Sequence, residues 1–205
     1  LATTSVQARL FFMEQEEDVR NIRLFYEGEL EFLRKSREEL AFLIRIEEIR
    51  RLHRMVSDMY YEIMSRNLPP ELGFRRRSMR PYADPVNAML SVGYALLFGN
   101  CTVASAGARL DPDGGFLHDG KNSLIQDLID PLKPGMVDTV VFQIARETLR
   151  EEDYELTPGR CMLSDDLIDM MTGRLHTSIN QDMINRQVLS LADSIRTGSV
   201  FTVLY

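Results

Sequence analysis

The sequence predicts an all-α fold with at most a small hairpin or a terminal strand, and three observations support this prediction. Apolar residues in 46–63 recur at steps of three and four, the period of an amphipathic helix. Residues 86–106 are apolar nearly all round, as in a buried central helix. Residues 1–45 show no strand-like alternation. A single helical domain spanning residues 1–205 is therefore expected.

The N-terminal part is predicted to form long helices. Residues 19–64 contain no proline and only one glycine, Gly28, so two long helices are expected there. His53 falls on the same apolar stripe as Val56 and Tyr60. This histidine is therefore expected to point into the core, where it suits either a metal ligand or a hydrogen-bonded core residue.

The middle of the chain is predicted to change direction before the central helix. Residues 68–70 end the helical region, and residues 72–82 form a basic connection that can hold a small hairpin or an irregular loop. Asp84 is expected to cap the central helix, with Pro85 at the first helical position, where its missing amide hydrogen costs nothing.

Shorter helices are predicted in the remaining sequence. Residues 111–115 are typical of turns, and Asn122 or Ser123 can cap a helix that runs through Leu132 and is stopped by Pro134. The other expected elements are helices over 137–149, 164–171 and 179–195, a C-terminal cap at Gly198, and a short strand or docked extension over 200–205.

The charge balance limits how this chain can meet nucleic acid. A formal net charge of -7 argues against coating nucleic acid by bulk electrostatics, although a local basic groove is compatible with it. Acidic residues crowd the first fifty positions, and the densest cationic cluster consists of Arg75, Arg76, Arg77 and Arg80.

Cysteine usage and hydropathy bear on the compartment. The two cysteines lie far apart in no CxxC arrangement, so they are interpreted as ordinary thiols in a reducing cytoplasm. No charge-free apolar segment long enough to span a membrane is expected, and the N-terminus lacks the pattern of a signal peptide. Membrane insertion and export are therefore not expected.

One histidine and two carboxylates form the candidate chemistry. His118 follows a glycine turn, and Asp127 and Asp130 are spaced to share one face of the next helix. Taken singly, a histidine is more often structural and paired acids are more often solvated. Together they can hold a divalent cation that activates an oxygen nucleophile against a phosphodiester.

Four spaced motifs resemble those of a known family. They are Asp84-Pro85-Val86-Asn87 with the apolar run to Leu97, then Leu110-Asp111-Pro112 with Gly115-Phe116-Leu117-His118, then Ser123-Leu124 to Asp127-Leu128, and Pro134 to Val137-Asp138. These motifs resemble the helical catalytic domain of Cas1, the CRISPR-associated integrase that acquires spacers. The resemblance extends from about residue 60 onward. The family usually carries an N-terminal β domain, which is not expected in residues 1–45 because they do not alternate like strands. The chain is therefore expected to resemble a compact member or to be part of a longer protein.

The resemblance implies an enzyme that inserts short DNA into a CRISPR repeat array, through attack of a 3′ hydroxyl on a phosphodiester. It implies Mg²⁺ or Mn²⁺ held by a glutamate, a histidine and an acidic residue. The histidine corresponds to His118 and the acid to Asp130, with Asp127 as its neighbour. The glutamate position falls on His53, which is the main departure from the family pattern.

Further residues take roles by the same resemblance. Lys121 corresponds to a position that approaches the DNA backbone, and Asn87 and Ser91 are expected to order the site or to serve as simple caps. By its charge, independently of the resemblance, the arginine cluster at 75–80 is expected either to contact phosphates of the protospacer and repeat duplexes or to be merely solvated.

The expected partners are double-stranded DNA and further copies of the chain, with the helices in residues 1–50 as an oligomerisation surface. A Cas2 partner is possible but not required, and no membrane is expected. Two alternatives remain open: a non-catalytic DNA-binding subunit of an integration complex, and an unrelated helical interaction protein whose motif matches are accidental.

Overall fold

The computed structural model describes residues 1–78 and 80–203, and its architecture is helical with one small hairpin. In the described residues the helices are α1 (Ala2–Arg20), α2 (Glu29–Leu40), α3 (Ile46–Ser65), α4 (Pro85–Gly107), α5 (Ser123–Ile129), α6 (Thr139–Glu147), α7 (Asp165–Ser178) and α8 (Gln181–Thr197). The antiparallel hairpin consists of β1 (Tyr154–Thr157) and β2 (Arg160–Leu163). The prediction of an all-α fold is confirmed.

Helices α1, α2 and α3 pack on one another at the N-terminal side. The two helices predicted within residues 19–64 correspond to α2 and α3, but the break at 21–28 leaves α1 as a separate helix. On α3 the buried side chains include His53, Val56 and Tyr60. The apolar stripe therefore faces the core, as the periodicity predicts.

Helix α4 is the central element and contacts α5, α6, α7, α8 and β2. Its cap is as predicted, because Oδ1 of Asp84 accepts from the Asn87 amide at 2.7 Å. The expectation that no segment is long and apolar enough to cross a membrane is wrong for α4, which passes that test by length and composition. No charged residue lies between Asp84 and Arg109. The packing of α4 within the helical core accounts for the same composition.

Several predicted boundaries differ from the structure. Helix α5 ends at Ile129, and Pro134 does not stop a helix but begins a π-helical turn, Pro134–Asp138, that leads into α6. Proline suits this position because the first residue of a helix needs no amide hydrogen. No strand lies in the described part of the 72–82 connection, so the hairpin falls later in the chain.

The C-terminal segment follows a left-handed cap at Gly198, whose φ is 68°. Described residues 200–203 contain no strand, and Phe201 packs against the core while Val203 is buried. The tail is therefore a docked extension as far as residue 203, and residues 204–205 lie outside the described residues.

Candidate functional site

A cavity of about 590 Å³ lies where α1, α3, the 117–119 loop and the end of α5 meet. Its lining includes both imidazoles of interest, one carboxylate of interest and five basic side chains: His53, His118, Asp130, Arg9, Arg50, Arg54, Arg77 and Lys133. The structure therefore brings His53, His118 and Asp130 to one cavity, although they are far apart in the sequence.

His118 is fixed by Asp127 of α5. The side-chain oxygens of Asp127 accept from the amides of Phe116, Leu117 and His118 at 2.5, 2.8 and 2.9 Å. The Nδ1 atom of His118 lies 2.7 Å from Oδ1 of Asp127. Because Asp127 is fully buried and its oxygens are used in this way, it acts through His118 as a positioning residue.

The electrostatics of this pair define the histidine tautomer. Burial raises the pKa of Asp127, but the hydrogen bonds from the His118 ring and from three backbone amides outweigh it and lower the pKa below its ordinary value. An ionised Asp127 accepts, so Nδ1 of His118 donates to it. Nε2 of His118 is then the ring atom with a free lone pair.

Gly115 allows the loop that carries His118 to lie against the start of α5. A Cβ atom at this position would come within 2.6 Å of backbone and side-chain atoms of Ser123. The Gly115 amide also donates to Oγ of Ser123 at 3.0 Å. The glycine of the predicted turn is therefore needed for close approach.

Asp130, just after α5, is surrounded by donors. Arg9 binds it with both terminal nitrogens, Nη1 to Oδ2 and Nη2 to Oδ1, each at 3.1 Å. Nε2 of His53 lies 2.9 Å from Oδ2, and Nζ of Lys133 lies 2.8 Å from Oδ1. The Ser5 hydroxyl also donates to Oδ2. The carboxylate is thus neutralised by cations at the base of the cavity.

The pKa of each partner follows from this ion pair. Burial raises the pKa of Asp130, but the charges of Arg9 and Lys133, with the His53 hydrogen bond, outweigh it and hold this pKa well below its ordinary value. Burial lowers the pKa of Arg9, but the Asp130 charge outweighs it and raises the pKa overall. Both groups are therefore charged although both are buried, an arrangement that depends on each keeping its partner.

The two imidazoles face each other across the cavity, with ring centroids 6.4 Å apart and planes at 86°. Since Asp130 is ionised, Nε2 of His53 donates to it and presents no lone pair in this arrangement. The prediction that His53 points inward is confirmed by its 7% exposure.

As arranged, these residues do not fit a divalent cation. Among residues 1–78 and 80–203, no three His, Cys, Asp or Glu side chains lie together in a way that could hold a metal ion. Two carboxylates line the cavity among the described residues, and both are already paired, Asp130 with Arg9 and Lys133 and Asp119 with Arg50. A metal cation beside Asp130 would be repelled by the charges of Arg9 and Lys133. Unit charges of like sign about 4 Å apart repel by about 4 kcal/mol at an effective dielectric constant of about 20. The roles of His118, His53 and Asp130 as ligands stay predictions.

Asn87 and Ser91 order the basic loop. Oδ1 of Asn87 accepts from the Ser78 amide at 2.9 Å and from Nη1 of Arg77 at 2.8 Å. Oγ of Ser91 accepts from Nη2 of Arg77 at 2.6 Å. These two residues of α4 therefore fix Arg77 at the cavity wall, which limits its freedom to follow a DNA strand.

The other predicted DNA contacts lie on the surface. Arg75, Arg76, Arg80 and Lys121 are exposed, and Nε of Arg80 donates to the Tyr82 hydroxyl at 3.3 Å. None of the four lines the cavity around His118. Their roles in DNA binding stay predictions.

Five further residues at the site are not predicted from the sequence: Ser5, Arg9, Arg50, Arg54 and Lys133. One signal was available for Arg9, since a cation among the apolar residues of an amphipathic helix needs a buried partner. Arg50 closes the cavity rim, because its Nε donates to the Leu117 carbonyl at 2.6 Å and its Nη2 to Asp119 at 2.6 Å.

The chain is similar to known proteins in sequence and in fold. The family model described as CRISPR associated protein Cas1 matches residues 6–176. A relative from Methanospirillum hungatei, named Putative CRISPR-associated endonuclease Cas1 2, is 37% identical over 204 residues, covering 99% of this chain and 67% of the relative. The chain thus spans only part of this relative's length.

Two solved structures share the fold. A Cas1 protein from Thermotoga maritima matches with a TM-score of 0.81 and 18% identity, over 100% of this chain and 67% of that chain. A casposase bound to integration product matches with a TM-score of 0.81 and 22% identity, over 97% of this chain and 58% of that chain. At such identities the likeness concerns the fold alone. From the family match and the relative, the chain belongs to the Cas1 family of CRISPR-associated proteins.

Proposed function

We propose that this chain is a DNA endonuclease and integrase that inserts short DNA into a CRISPR repeat array. The observation that carries the proposal is the Asp127–His118 pair, because His118 lines a cavity that five basic side chains also line. The endonuclease name of the Methanospirillum relative supports the reaction class. The casposase captured with its integration product supports strand transfer.

His118 supplies the proton chemistry. Its Nε2 accepts the proton of a 3′ hydroxyl on the incoming duplex, while Asp127 holds Nδ1 and stabilises the imidazolium that forms. The 3′ oxygen forms a bond to phosphorus of the repeat, the bond from phosphorus to the leaving 3′ oxygen breaks, and that oxygen takes up a proton. Hydrolytic cleavage uses the same groups with water as the nucleophile.

The basic lining supplies the charge. Arg54 is exposed at the cavity, and Lys133 is half-buried beside Asp130. Cations at this place stabilise the extra negative charge of a phosphorane-like transition state. Arg75, Arg76, Arg80 and Lys121 are proposed to contact phosphates further along the duplex. With a net charge of -7, DNA binding then depends on these local groups.

The Mg²⁺ or Mn²⁺ requirement implied by the family resemblance is part of the proposal. By the family resemblance, the ion would be held by His118, His53 and Asp130. His118 would then bind it through Nε2 instead of accepting a proton, and Asp130 would have to give up its pairing with Arg9 and Lys133. When bound, such an ion lowers the pKa of an oxygen nucleophile and neutralises phosphate charge.

The proposed partners are double-stranded protospacer and repeat DNA and further copies of this chain. Two-ended insertion needs two joined sites, which a homo-oligomer provides. A Cas2 partner is compatible with the proposal but not required by it, and a prokaryotic cytoplasm is the proposed location.

Strand transfer of a labelled short duplex into a supercoiled repeat plasmid tests the proposal. It is measured with Mg²⁺, with Mn²⁺ and with chelator, for the wild type, His118→Ala and the control His176→Ala. His176 is exposed on α7. We expect His118→Ala to lower strand transfer by about 10²-fold or more, in line with the loss of a general base, and His176→Ala to leave it unchanged. Equal activity of all three proteins would contradict the proposed role of His118.

A second candidate function is a non-catalytic DNA-binding subunit of an integration complex. The observation that favours it is the neutralisation of Asp130 by Arg9 and Lys133. Repeat DNA bound by the wild type without strand transfer under any metal condition would identify this function. Loss of both DNA binding and strand transfer would overturn both candidates.

A further inference from the structure

The basic side chains that line the cavity differ in whether a carboxylate cancels their charge. Three of them form ion pairs: Arg9 and Lys133 with Asp130, and Arg50 with Asp119. Arg54 is exposed to solvent. Arg77 is half-buried, and in the part of the chain that the structure describes it forms no ion pair. Its charge is therefore held in the cavity wall without being cancelled.

Neutral oxygens hold the Arg77 guanidinium in place. Its Nη1 donates to the Ser78 carbonyl at 3.0 Å, and to Oδ1 and the carbonyl of Asn87 at 2.8 and 3.2 Å. Its Nη2 donates to Oγ of Ser91 at 2.6 Å. The Asn87 amide group is itself fixed, because its Nδ2 donates to Oδ2 of Asp84 at 2.8 Å. A neutral acceptor orients a guanidinium without neutralising it, whereas a carboxylate does both.

Aromatic rings flank the same guanidinium. Cζ of Arg77 lies 5.4 Å from the centroid of the Tyr94 ring and 5.7 Å from that of the Tyr82 ring. The Tyr94 ring is anchored, because its hydroxyl donates at 2.6 Å to Asp138, which is fully buried. A ring face attracts a cation without forming an ion pair. The rings therefore add to the fixation of Arg77 and leave its positive charge available.

Arg77 also keeps donors for a further acceptor. A guanidinium has five N–H donors, and the hydrogen bonds described above use Nη1 and one hydrogen of Nη2. Nε and the second hydrogen of Nη2 form one edge of the group. Such an edge matches two oxygens of a phosphate, which arginine binds with two parallel hydrogen bonds. Charge, donors and a fixed orientation together are what binding of an anion requires.

We infer that Arg77 binds the DNA phosphate that enters the cavity, and that its neutral surroundings keep its charge available for that phosphate. The inference rests on the proposed function, because it concerns the DNA of that reaction. It gives Asn87 and Ser91 a specific role, which is to orient the guanidinium before DNA arrives. Donors that are already oriented need no rearrangement when the negative charge reaches them.

A matched pair of substitutions at Ser91 tests the inference. Ser91→Asp places a carboxylate within reach of Nη2 of Arg77, whereas Ser91→Asn places a neutral amide of the same size there. Aspartate and asparagine have similar helix propensities, so the two variants differ mainly in charge. Binding of a labelled short duplex is measured by fluorescence anisotropy over a range of salt concentrations.

We expect Ser91→Asp to bind the duplex about tenfold or more weakly than Ser91→Asn at low salt, in line with the loss of a hydrogen bond to a charged group. The slope of log affinity against log salt should be smaller by about one, because one phosphate contact is lost. Ser91→Asp should nevertheless melt at no lower temperature than Ser91→Asn, because it gains an ion pair with Arg77. A merely structural role of Arg77 would not weaken DNA binding in the more stable variant.

Two further sets of variants control for general charge and for the guanidinium itself. Val103→Asp adds the same charge at an exposed position of α4 outside the cavity, and it should change the affinity by less than about twofold. Arg77→Gln should lower the salt slope by about one. Arg77→Lys should restore the slope but only part of the affinity, because lysine lacks the planar fork.

Equal duplex affinities of Ser91→Asp and Ser91→Asn would overturn the inference, and this comparison stands even where Arg77→Gln does not fold. An equal loss in Ser91→Asp and Val103→Asp would also overturn it, because added charge alone would then explain the weaker binding. Strand transfer at saturating duplex shows where the phosphate lies. A deficit of Ser91→Asp that persists at saturation supports a phosphate in the cavity, whereas one that saturation removes places the phosphate elsewhere and contradicts the inference.

Strand transfer by the wild type separates this inference from the proposed function. Wild-type strand transfer with equal affinities of the two Ser91 variants supports the proposed function and overturns the inference. Weaker duplex binding by Ser91→Asp, without strand transfer by any of the proteins, supports phosphate binding by Arg77 and counts against the proposed function. A wild type that binds no duplex overturns both.

Discussion

Asp127 and Asp130 are three residues apart, but their surroundings differ in kind. Asp127 is held by the backbone amides of 116–118 and by the ring of His118. Asp130 is held by the charges of Arg9 and Lys133. The first environment orients a base, whereas the second neutralises a carboxylate. The sequence predicts that the two acids share one helix face. It does not predict that Asp127 orients His118 while Asp130 is neutralised by cations.

Asp127→Asn tests the positioning role of Asp127. The amide group would place a donor opposite backbone amides that also donate, so buried donors would lose their acceptor. We expect the free energy of unfolding to fall by about 1–3 kcal/mol, measured by urea denaturation. Strand transfer should fall further than this loss explains, because His118 loses its orientation. Glu152→Gln, at an exposed carboxylate, is the matched control and should change neither quantity.

Acid should destabilise the fold through the same two carboxylates. Their pKa values are lowered in the folded state, so their contribution to stability is present above the unfolded value of about 3.9 and is lost as pH falls through the folded values. Asp138 affects the acid dependence of stability in the opposite sense. Burial raises its pKa, and the hydrogen bonds from Tyr94 and Tyr60 offset this only in part.

Urea unfolding between about pH 7 and pH 3 measures this linkage. We expect the free energy of unfolding to fall below about pH 4 in the wild type, and to fall less steeply in Asp127→Asn, which has one fewer such group. Identical acid slopes for the two proteins would show that Asp127 does not contribute to the acid loss.

The sequence was sufficient for part of the site. The helical period places His53 inward, and the family resemblance selects His118 and Asp130, which the structure brings to one cavity. The sequence does not predict the place of Arg9 at the site, because the pairing of Arg9 with Asp130 joins α1 to the end of α5 across 121 positions. Local pattern carries no information on contacts of this kind.

At the scale of elements, α4 contacts the π-helical turn Pro134–Asp138, and Tyr94 of α4 and Lys133 just before the turn both line the cavity. Gly93 of α4 lies against this turn, where an added Cβ would overlap Cγ1 of Val137. Periodicity predicts α4 itself, since a helix apolar all round is central. Periodicity does not predict the π-helical turn, because Pro134 can equally end one helix or occupy the first position of the next.

Gly93→Ala tests this close approach. We expect it to lower the free energy of unfolding by about 1–3 kcal/mol, as overpacking of a core does. Val137→Ala removes the atom that the new methyl group would meet, so the double variant should recover part of the loss beyond the sum of the single effects. Additive effects in this double-mutant cycle would indicate that the two elements do not meet at Gly93.

Gly115→Ala is the contrasting variant. Its new methyl group would meet the backbone of Ser123, 2.6 Å away, which no side-chain truncation removes. In urea denaturation, we therefore expect Ser123→Ala to recover only a small part of the stability lost in Gly115→Ala. This recovery should be smaller than the one that Val137→Ala gives in Gly93→Ala.

At the scale of the whole molecule, the fold class follows from the sequence, whereas its assembly does not. The need to join two sites for two-ended insertion predicts a homo-oligomer, and the acidic, apolar-striped helices in residues 1–50 are its predicted surface. The structure adds a specific feature there: between α2 and α3, Phe42 is 81% exposed and Ile44 is 94% exposed. Neighbouring apolar side chains with this exposure are typical of contact surfaces.

The double substitution Phe42→Glu with Ile44→Glu tests assembly through this surface. Both side chains are exposed, so the free energy of unfolding should change by less than about 0.5 kcal/mol per site. If the chain associates through residues 1–50, two carboxylates in the contact should lower the mass measured by light scattering after size exclusion toward that of the 23.6 kDa chain. Val103→Glu is the control, since Val103 is 73% exposed on α4 outside this surface. If Val103→Glu lowers the mass as much as the double variant does, added charge alone explains the dissociation. That result would not support a contact at Phe42 and Ile44.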